Sequence, residues 1–259
     1  MANESAGKTG WRRVLHDKFA VEERYVDAAV RKKLYVVAAV LAIVGAGLFV
    51  LALTGVLESD GLASADESAR RWLLTTRSEP LTDFMIILAV IFGPVALPII
   101  VLVVTAAWGI LAKQAWRPVL LAAAMLTGVG LAQVIGRSVE RTRPPVELML
   151  FGADHTFSFP SGHVLGASNF LLVTAFLVFS RHRKPAVTAA GFVLAGFGVA
   201  LAALSRLYLG YHWVSDAIGS VAVSLVVLGA VIAVDTWRTV RIPGEPLTED
   251  VSRADAPAD

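Results

Sequence analysis

Residues 204–216, LSRLYLGYHWVSD, lie between two long apolar runs, so Arg206, His212 and Asp216 stand at the edge of a segment where an uncompensated charge is costly. If a helix starts after Tyr211, His212 and Asp216 are spaced i,i+4 and share a face. The carboxylate can then accept a hydrogen bond from one imidazole nitrogen. The other nitrogen is left for nucleophilic or base chemistry. Arg206 adds a planar fork of donors that suits an oxyanion such as phosphate. The plainer alternative is that His212 and Asp216 cap a transmembrane helix while Arg206 snorkels to the interface.

The 259 residues are 56% hydrophobic, with a mean hydropathy of +0.67. A soluble domain must turn a polar surface to water and cannot be this apolar, so the chain reads as an integral membrane protein. The net charge of +2 is small for the length, and no basic run interleaved with aromatics suggests a nucleic-acid partner. With no cysteine, disulfides, thiolate metal sites and cysteine nucleophiles are excluded. The first apolar run is about a full bilayer span, longer than a signal-peptide core, and reads as an anchor with no cleavable signal.

An all-α bundle of six spans follows from the hydrophobic runs. Residues 1–33 carry charges of both signs and a loose apolar stripe from Trp11 to Val21, which predicts a cytoplasmic, partly helical lead-in on the membrane surface. Arg31, Lys32 and Lys33 then hold the amino end of the first span, 34–57, inside. Residues 58–80 contain ADESARRWLLTTR, a short interfacial helix. The apolar region 81–111 is interrupted by Gly93, Pro94 and Pro98 and counts as one long or broken span. Spans at 118–135, 164–179, 186–204 and 213–234 complete a domain over 34–235. The Pro- and Asp-rich tail, 236–259, is predicted to be disordered and cytoplasmic. Asn169, inside the fourth span, is expected to bond a neighbouring helix.

Six crossings from an inside amino terminus put Lys113 and the basic loop 181–184 inside and the connections 137–163 and 205–212 outside. Arg137, Arg141, Arg143 and Arg206 therefore sit on the face where positive charge is disfavoured, and they read better as ligands for an anion than as orientation signals. In RSVERTRP, Pro144 presses Arg143 toward an extended backbone and fixes where its guanidinium points. Pro160-Ser161-Gly162-His163 opens the fourth span, where unpaired N–H groups and the positive dipole end favour an anion, and His163 in the first turn can protonate a leaving oxygen. Taken singly, these patches also read as a solvated basic loop and an ordinary helix cap. Asp154 and His155 are read as solvated loop residues.

Together the three patches resemble the type 2 phosphatidic acid phosphatase (PAP2) superfamily, which shares a core with nonspecific acid phosphatases and vanadium haloperoxidases. Its signature is a lysine, six residues, then Arg-Pro; later Pro-Ser-Gly-His; and later Ser-Arg, five residues, His, three residues, Asp. The second motif stands at Pro160 to His163 and the third at Ser205, Arg206, His212 and Asp216. The first matches at Arg143-Pro144 but has Gly136 where the lysine belongs, with Arg137 one place along. The resemblance implies a six-helix PAP2 fold in the plasma membrane with an extracytoplasmic site. It implies that His212 attacks phosphorus, Asp216 orients it, and His163 protonates the leaving group and then activates water. Arg143, Arg206, Ser161, Gly162, Ser205 and, in the lysine's place, Arg137 would hold the phosphoryl oxygens, and Arg141 could assist. No metal or cofactor is implied. The expected substrate is a lipid phosphate or diphosphate of the phosphatidic acid, phosphatidylglycerophosphate or undecaprenyl diphosphate type. A flippase, or a weakly active lipid-phosphate binder, is the competing reading. A pure binder has little use for two histidines and an orienting acid.

Overall fold

The structure is a computed structural model that describes residues 21–112, 114–182, 184–247 and 252–254. Its long helices are α1 (Ala28–Glu58), α5 (Trp116–Val139), α6 (Gly162–Phe179), α7 (Pro185–Tyr208) and α8 (Val214–Thr239); α2 (Asp66–Thr75) follows a 3-10 turn, and α3 (Glu79–Ile91) and α4 (Ala96–Leu111) form a bent pair. Among the described residues five helices are long and apolar enough to cross a membrane, and the α3–α4 pair, bent by 51°, makes six if counted as one span. The bend falls at Gly93-Pro94, where a residue without an N–H removes one helical hydrogen bond and its ring crowds the preceding turn. The all-α, multi-pass architecture expected from the hydrophobic runs is therefore what the chain adopts.

Helix α8 lies at the centre, against α1, α5 and α6, with α7 outside α6 and the α3–α4 pair against α5, α6 and α7. Leu121, Val173, Leu177, Leu228 and Val231 belong to the buried core. Between apolar helices in lipid there is little hydrophobic gain, so close packing of small residues carries association. The α1–α8 crossing shows this: a Cβ on Gly45 would lie 2.6 Å from the Ala222 carbonyl oxygen, and one on Gly229 2.6 Å from that of Ala38. Large apolar side chains such as Ile43 (71% exposed), Leu126 (74%) and Val193 (72%) face outward, as hydrocarbon permits and water would not. Asn169 meets the expectation of an interhelical bond: its side-chain N–H reaches the Ala124 carbonyl on α5 at 3.5 Å.

The ends of the bundle differ. At one end a small parallel sheet, in the order β2 (Val240–Arg241), β1 (Val21–Tyr25), β3 (Ser252–Ala254), ties the lead-in to the tail. Buried Glu23 meets Arg238 at 2.9 Å and Arg241 at 2.7 Å, and Arg31 meets Glu245 at 2.7 Å. This corrects two expectations, since residues 21–25 are strand where a partly helical lead-in was expected and part of the tail is ordered. A lone VEERY reads as a charged, helix-compatible segment, and only pairing with residues more than two hundred positions away makes it a strand. The stripe from Trp11 to Ala20 lies outside the described residues. Helices also outrun the apolar runs, α1 starting at Ala28 and α8 ending at Thr239, because hydropathy marks the lipid-facing part and not the helix. At the other end the short helix α2, the carboxyl ends of α5 and α7 and the amino ends of α6 and α8 meet.

Candidate active site

Helix α6 begins at Gly162, and Ser161 caps it by accepting from the Val164 N–H at 3.4 Å, so His163 stands in the first turn. Arg206 stands in the last turn of α7. The end of α7 is held by Arg77, whose guanidinium donates to the Tyr208 carbonyl at 2.9 Å and to the Leu148 carbonyl at 2.8 Å, taking up an oxygen the helix leaves unpaired. The chain then turns at Gly210 with φ +85°, a conformation and a closeness to the Leu148 carbonyl that only glycine accepts. Tyr211, His212 and Trp213 follow before α8 begins at Val214.

His212 and Asp216 are in contact, but not on one helical face. His212 precedes the helix, and Asp216 reaches back over its amino end, accepting from the Trp213 N–H at 2.9 Å and from His212 Nδ1 at 3.2 Å. Ser158 also donates to Asp216. The other ring nitrogen, Nε2, accepts from Arg143 Nη1 at 3.0 Å. Because the arginine can only donate, these two bonds assign the proton to Nδ1 and the lone pair to Nε2. Burial pushes the His212 imidazole down to about 4, against the upward pull of Asp216; the charges of Arg143 and Arg206 act in the same sense as burial.

Arg143 also donates to the Tyr211 carbonyl at 2.8 Å and the Thr156 carbonyl at 2.9 Å, and pairs with Asp154 at 3.0 Å. Burial lowers its guanidinium from the usual range. Asp154, read from sequence as solvated, is thus a partner of the phosphate-binding candidate. Arg206 is 4% exposed and stacks over the Tyr211 ring at 4.0 Å. Its Nε is buried with no hydrogen-bond partner, and among the described residues no carboxylate pairs with it. The segment that leads into α6 is tied to α8 by the Ser158 hydroxyl, which donates to Asp216, and by the Ser220 hydroxyl, which donates to the Ser161 carbonyl at 3.1 Å. The three sequence-distant patches therefore meet at one end of the bundle.

Two candidates lie apart. Ser205 turns its hydroxyl to the Ala202 carbonyl of its own helix at 3.2 Å. Arg137 is exposed on the last turn of α5, with no hydrogen bond or ion pair among the described residues. Arg141, expected at most to assist with phosphate, instead binds Asp66 at 2.7 Å and Asp216 at 2.5 Å. Sequence reading missed Asp66, Ser158 and Thr156. Only Ser158, two residues before Pro160, lies near a motif.

Beside the polar cluster is a mostly apolar cavity of about 500 Å³, walled by Phe92, Leu97 and Val101 from the α3–α4 region and Met125 and Val129 from α5, with Gly162 and His163 also lining it. A Cβ on Gly93 would stand 3.5 Å from His163 Nε2, which places the bend of the broken span directly against that imidazole.

A PAP2 superfamily model matches residues 117–239, which hold every one of these motif positions. Over these residues the chain is similar to the PAP2 superfamily. It is 28% identical over 185 residues to phosphatidylglycerophosphatase B of Bacillus subtilis (strain 168), a match covering 69% of this chain and 87% of that protein. Over 92 residues it is 38% identical to phosphatidylglycerophosphatase B of Escherichia coli (strain K12), covering 36% of this chain and 32% of that one. The crystal structure of a transmembrane PAP2 type phosphatidylglycerolphosphate phosphatase from Bacillus subtilis superposes with a TM-score of 0.65 at 24% identity, covering 74% of this chain and 96% of that one, and shows the same fold.

The lysine position of the first motif is Gly136, buried near the end of α5. A Cβ there would lie 3.6 Å from the Phe159 carbonyl, an ordinary contact, one residue before the Pro-Ser-Gly-His motif. A Cβ is therefore accommodated there, beside the segment that leads into Pro160. Gly136→Lys is expected to raise kcat/KM about 10-fold, the worth of one charge-assisted contact. Kinetics on the purified variant check this, and a fall would show that the site is already complete without a lysine.

Proposed function

We propose that this protein is a lipid phosphate phosphatase working through a phosphohistidine. His212 Nε2 attacks phosphorus as Arg143 swings from the ring to the phosphoryl oxygens. The bond from phosphorus to the leaving oxygen breaks, and protonated His163 hands its proton to that oxygen. Neutral His163 then takes a proton from water, whose oxygen attacks phosphorus and breaks the P–N bond, releasing phosphate and restoring His212. Arg143, Arg206 and the N–H groups after Ser161 stabilise the equatorial oxygens throughout.

The observation that carries this reading is the buried Arg206, without a carboxylate partner among the described residues, beside an imidazole whose Nε2 carries a lone pair. A buried unpaired cation is costly and is explained by an anion that arrives to pair with it. The apolar cavity beside His163 supports a substrate with a hydrocarbon tail. The names of the relatives favour phosphatidylglycerophosphate, with phosphatidic acid and undecaprenyl diphosphate next. The basic groups Arg31, Lys32, Arg117 and Lys184 lie toward the opposite end of the bundle. That supports a plasma-membrane protein with its site on the extracytoplasmic face.

Phosphate release from those three lipids and from tail-less glycerol phosphate, by purified protein in detergent, tests the proposal. Release from at least one lipid, with glycerol phosphate slower by two orders of magnitude or about that, is expected; no release from any lipid would overturn it. Because His212 must be neutral to attack, kcat/KM is expected to fall as the pH drops through about 4, where the ring gains its proton. A pH profile with one substrate checks this, and an acid limb centred near about 6.5, where a free imidazole titrates, would contradict the buried, neutral ring.

A further inference from the structure

Behind His212, on the side away from Nε2, lies a second carboxylate that the phosphate chemistry does not use. Asp66, at the start of the short helix α2, is 4% exposed and accepts from the Ser215 N–H at 2.9 Å and from the Ser215 hydroxyl at 2.6 Å. Arg141 lies between the two acids. One Nη donates to Asp66 at 2.7 Å, and the other to Asp216 at 2.5 Å and to the Ser215 hydroxyl at 2.7 Å. The chain of contacts runs Asp66, Arg141, Asp216, His212, and its three charges sum to minus one.

We infer that Asp66 and Arg141 are positioning residues, which fix the Asp216 carboxylate against His212 Nδ1 and leave behind the ring the single negative charge that the phosphorylated imidazole needs. The inference rests on the phosphatase reading above. When Nε2 bonds to phosphorus the ring becomes cationic, with its proton still on Nδ1. Asp216 paired with Arg141 alone would offer no net charge to that cation, and Asp66 restores it. Neither residue touches the phosphate, so both act on the chemical step and not on binding.

The test uses full-length protein in detergent. Asp66→Asn and Arg141→Gln are expected to lower kcat about 10- to 100-fold, the effect of removing a hydrogen bond to a charged group. KM and inhibition by inorganic phosphate should stay close to wild type. The acid limb of kcat/KM should move in opposite directions. Arg141→Gln removes a positive charge, raises the His212 pKa and shifts the limb upward by about one pH unit; Asp66→Asn removes a negative charge and shifts it downward. The other groups facing His212 are Asp216 on α8, Arg143 and Asp154 on the loop before α6, Arg206 and Tyr211 at the end of α7, and His163 on α6, and all are unchanged in these variants. A merely structural role would not shift the limb with opposite signs.

Ser215→Ala, a small change in the middle of the chain of contacts, is the fallback if either variant fails to fold. It is expected to lower kcat several-fold at unchanged KM. With wild type active, an unchanged kcat in the folded variants overturns the inference. Weakened inhibition by inorganic phosphate in proportion to lost activity also overturns it, since Arg141 would then be a phosphate ligand. An inactive wild type would overturn the phosphatase reading itself.

Discussion

Purified His212→Ala protein should release phosphate from a lipid substrate at least on the order of 10⁴-fold more slowly than wild type, the size of loss that follows removal of a covalent nucleophile. The ring offers its Nε2 lone pair to the space beside Arg143 and Arg206, and the sequence has no cysteine to stand in for it. Arginine-rich binding should persist, so inorganic phosphate should still protect the variant against thermal unfolding. That separates loss of chemistry from loss of fold. Brief reaction with a radiolabelled substrate followed by alkaline quenching, which preserves phosphoramidate bonds, should leave label on wild-type protein and none on the variant. A variant that keeps wild-type turnover would remove His212 from the reaction and revive the binder or flippase reading.

Arg206→Gln is expected to cut kcat/KM by about 10²- to 10³-fold, as loss of one oxyanion donor does. At the same time its melting temperature should equal or exceed that of wild type. The two effects share a cause. Buried Arg206 has an Nε without a partner and no carboxylate beside it among the described residues, so its charge is held against the cost of desolvation until the phosphate arrives. Tyr211, over which it stacks, stays pinned by its own hydroxyl, which donates to the Gly152 carbonyl at 2.5 Å. Arg141→Gln should behave oppositely and lower the melting temperature, because that guanidinium satisfies two buried carboxylates. If Arg206→Gln destabilised the protein as Arg141→Gln does, Arg206 would be a structural residue and the anion site would lose its main support.

Much of the site was legible because its residues are conspicuous where they stand. His163, Arg206, His212 and Asp216 border apolar runs, and charge there requires an explanation. The contact between His212 and Asp216 was foreseen, although its cause was not: the acid caps the α8 amino end, and no helical turn joins the two. Arg137 shows the limit of spacing. One residue along a helix rotates a side chain by about 100°, so a neighbour of the lysine position faces elsewhere, and Arg137 is exposed while Gly136 is buried.

By itself the sequence determined the membrane class, the number of apolar runs, the break at Gly93-Pro94 and the resemblance to the PAP2 signature, complete in two motifs and lacking the lysine of the first. Each follows from short-range physics: the length of chain that hydrocarbon requires, the missing N–H of proline, and the rarity of charge in lipid. Only the tertiary structure decided that Asp66 and Arg141, 75 positions apart, join behind His212, and that Glu23 draws the tail into a sheet. Those pairings depend on which buried charges the packed helices bring within a few ångströms, and opposite charges along a chain carry no mark of the partner they will meet.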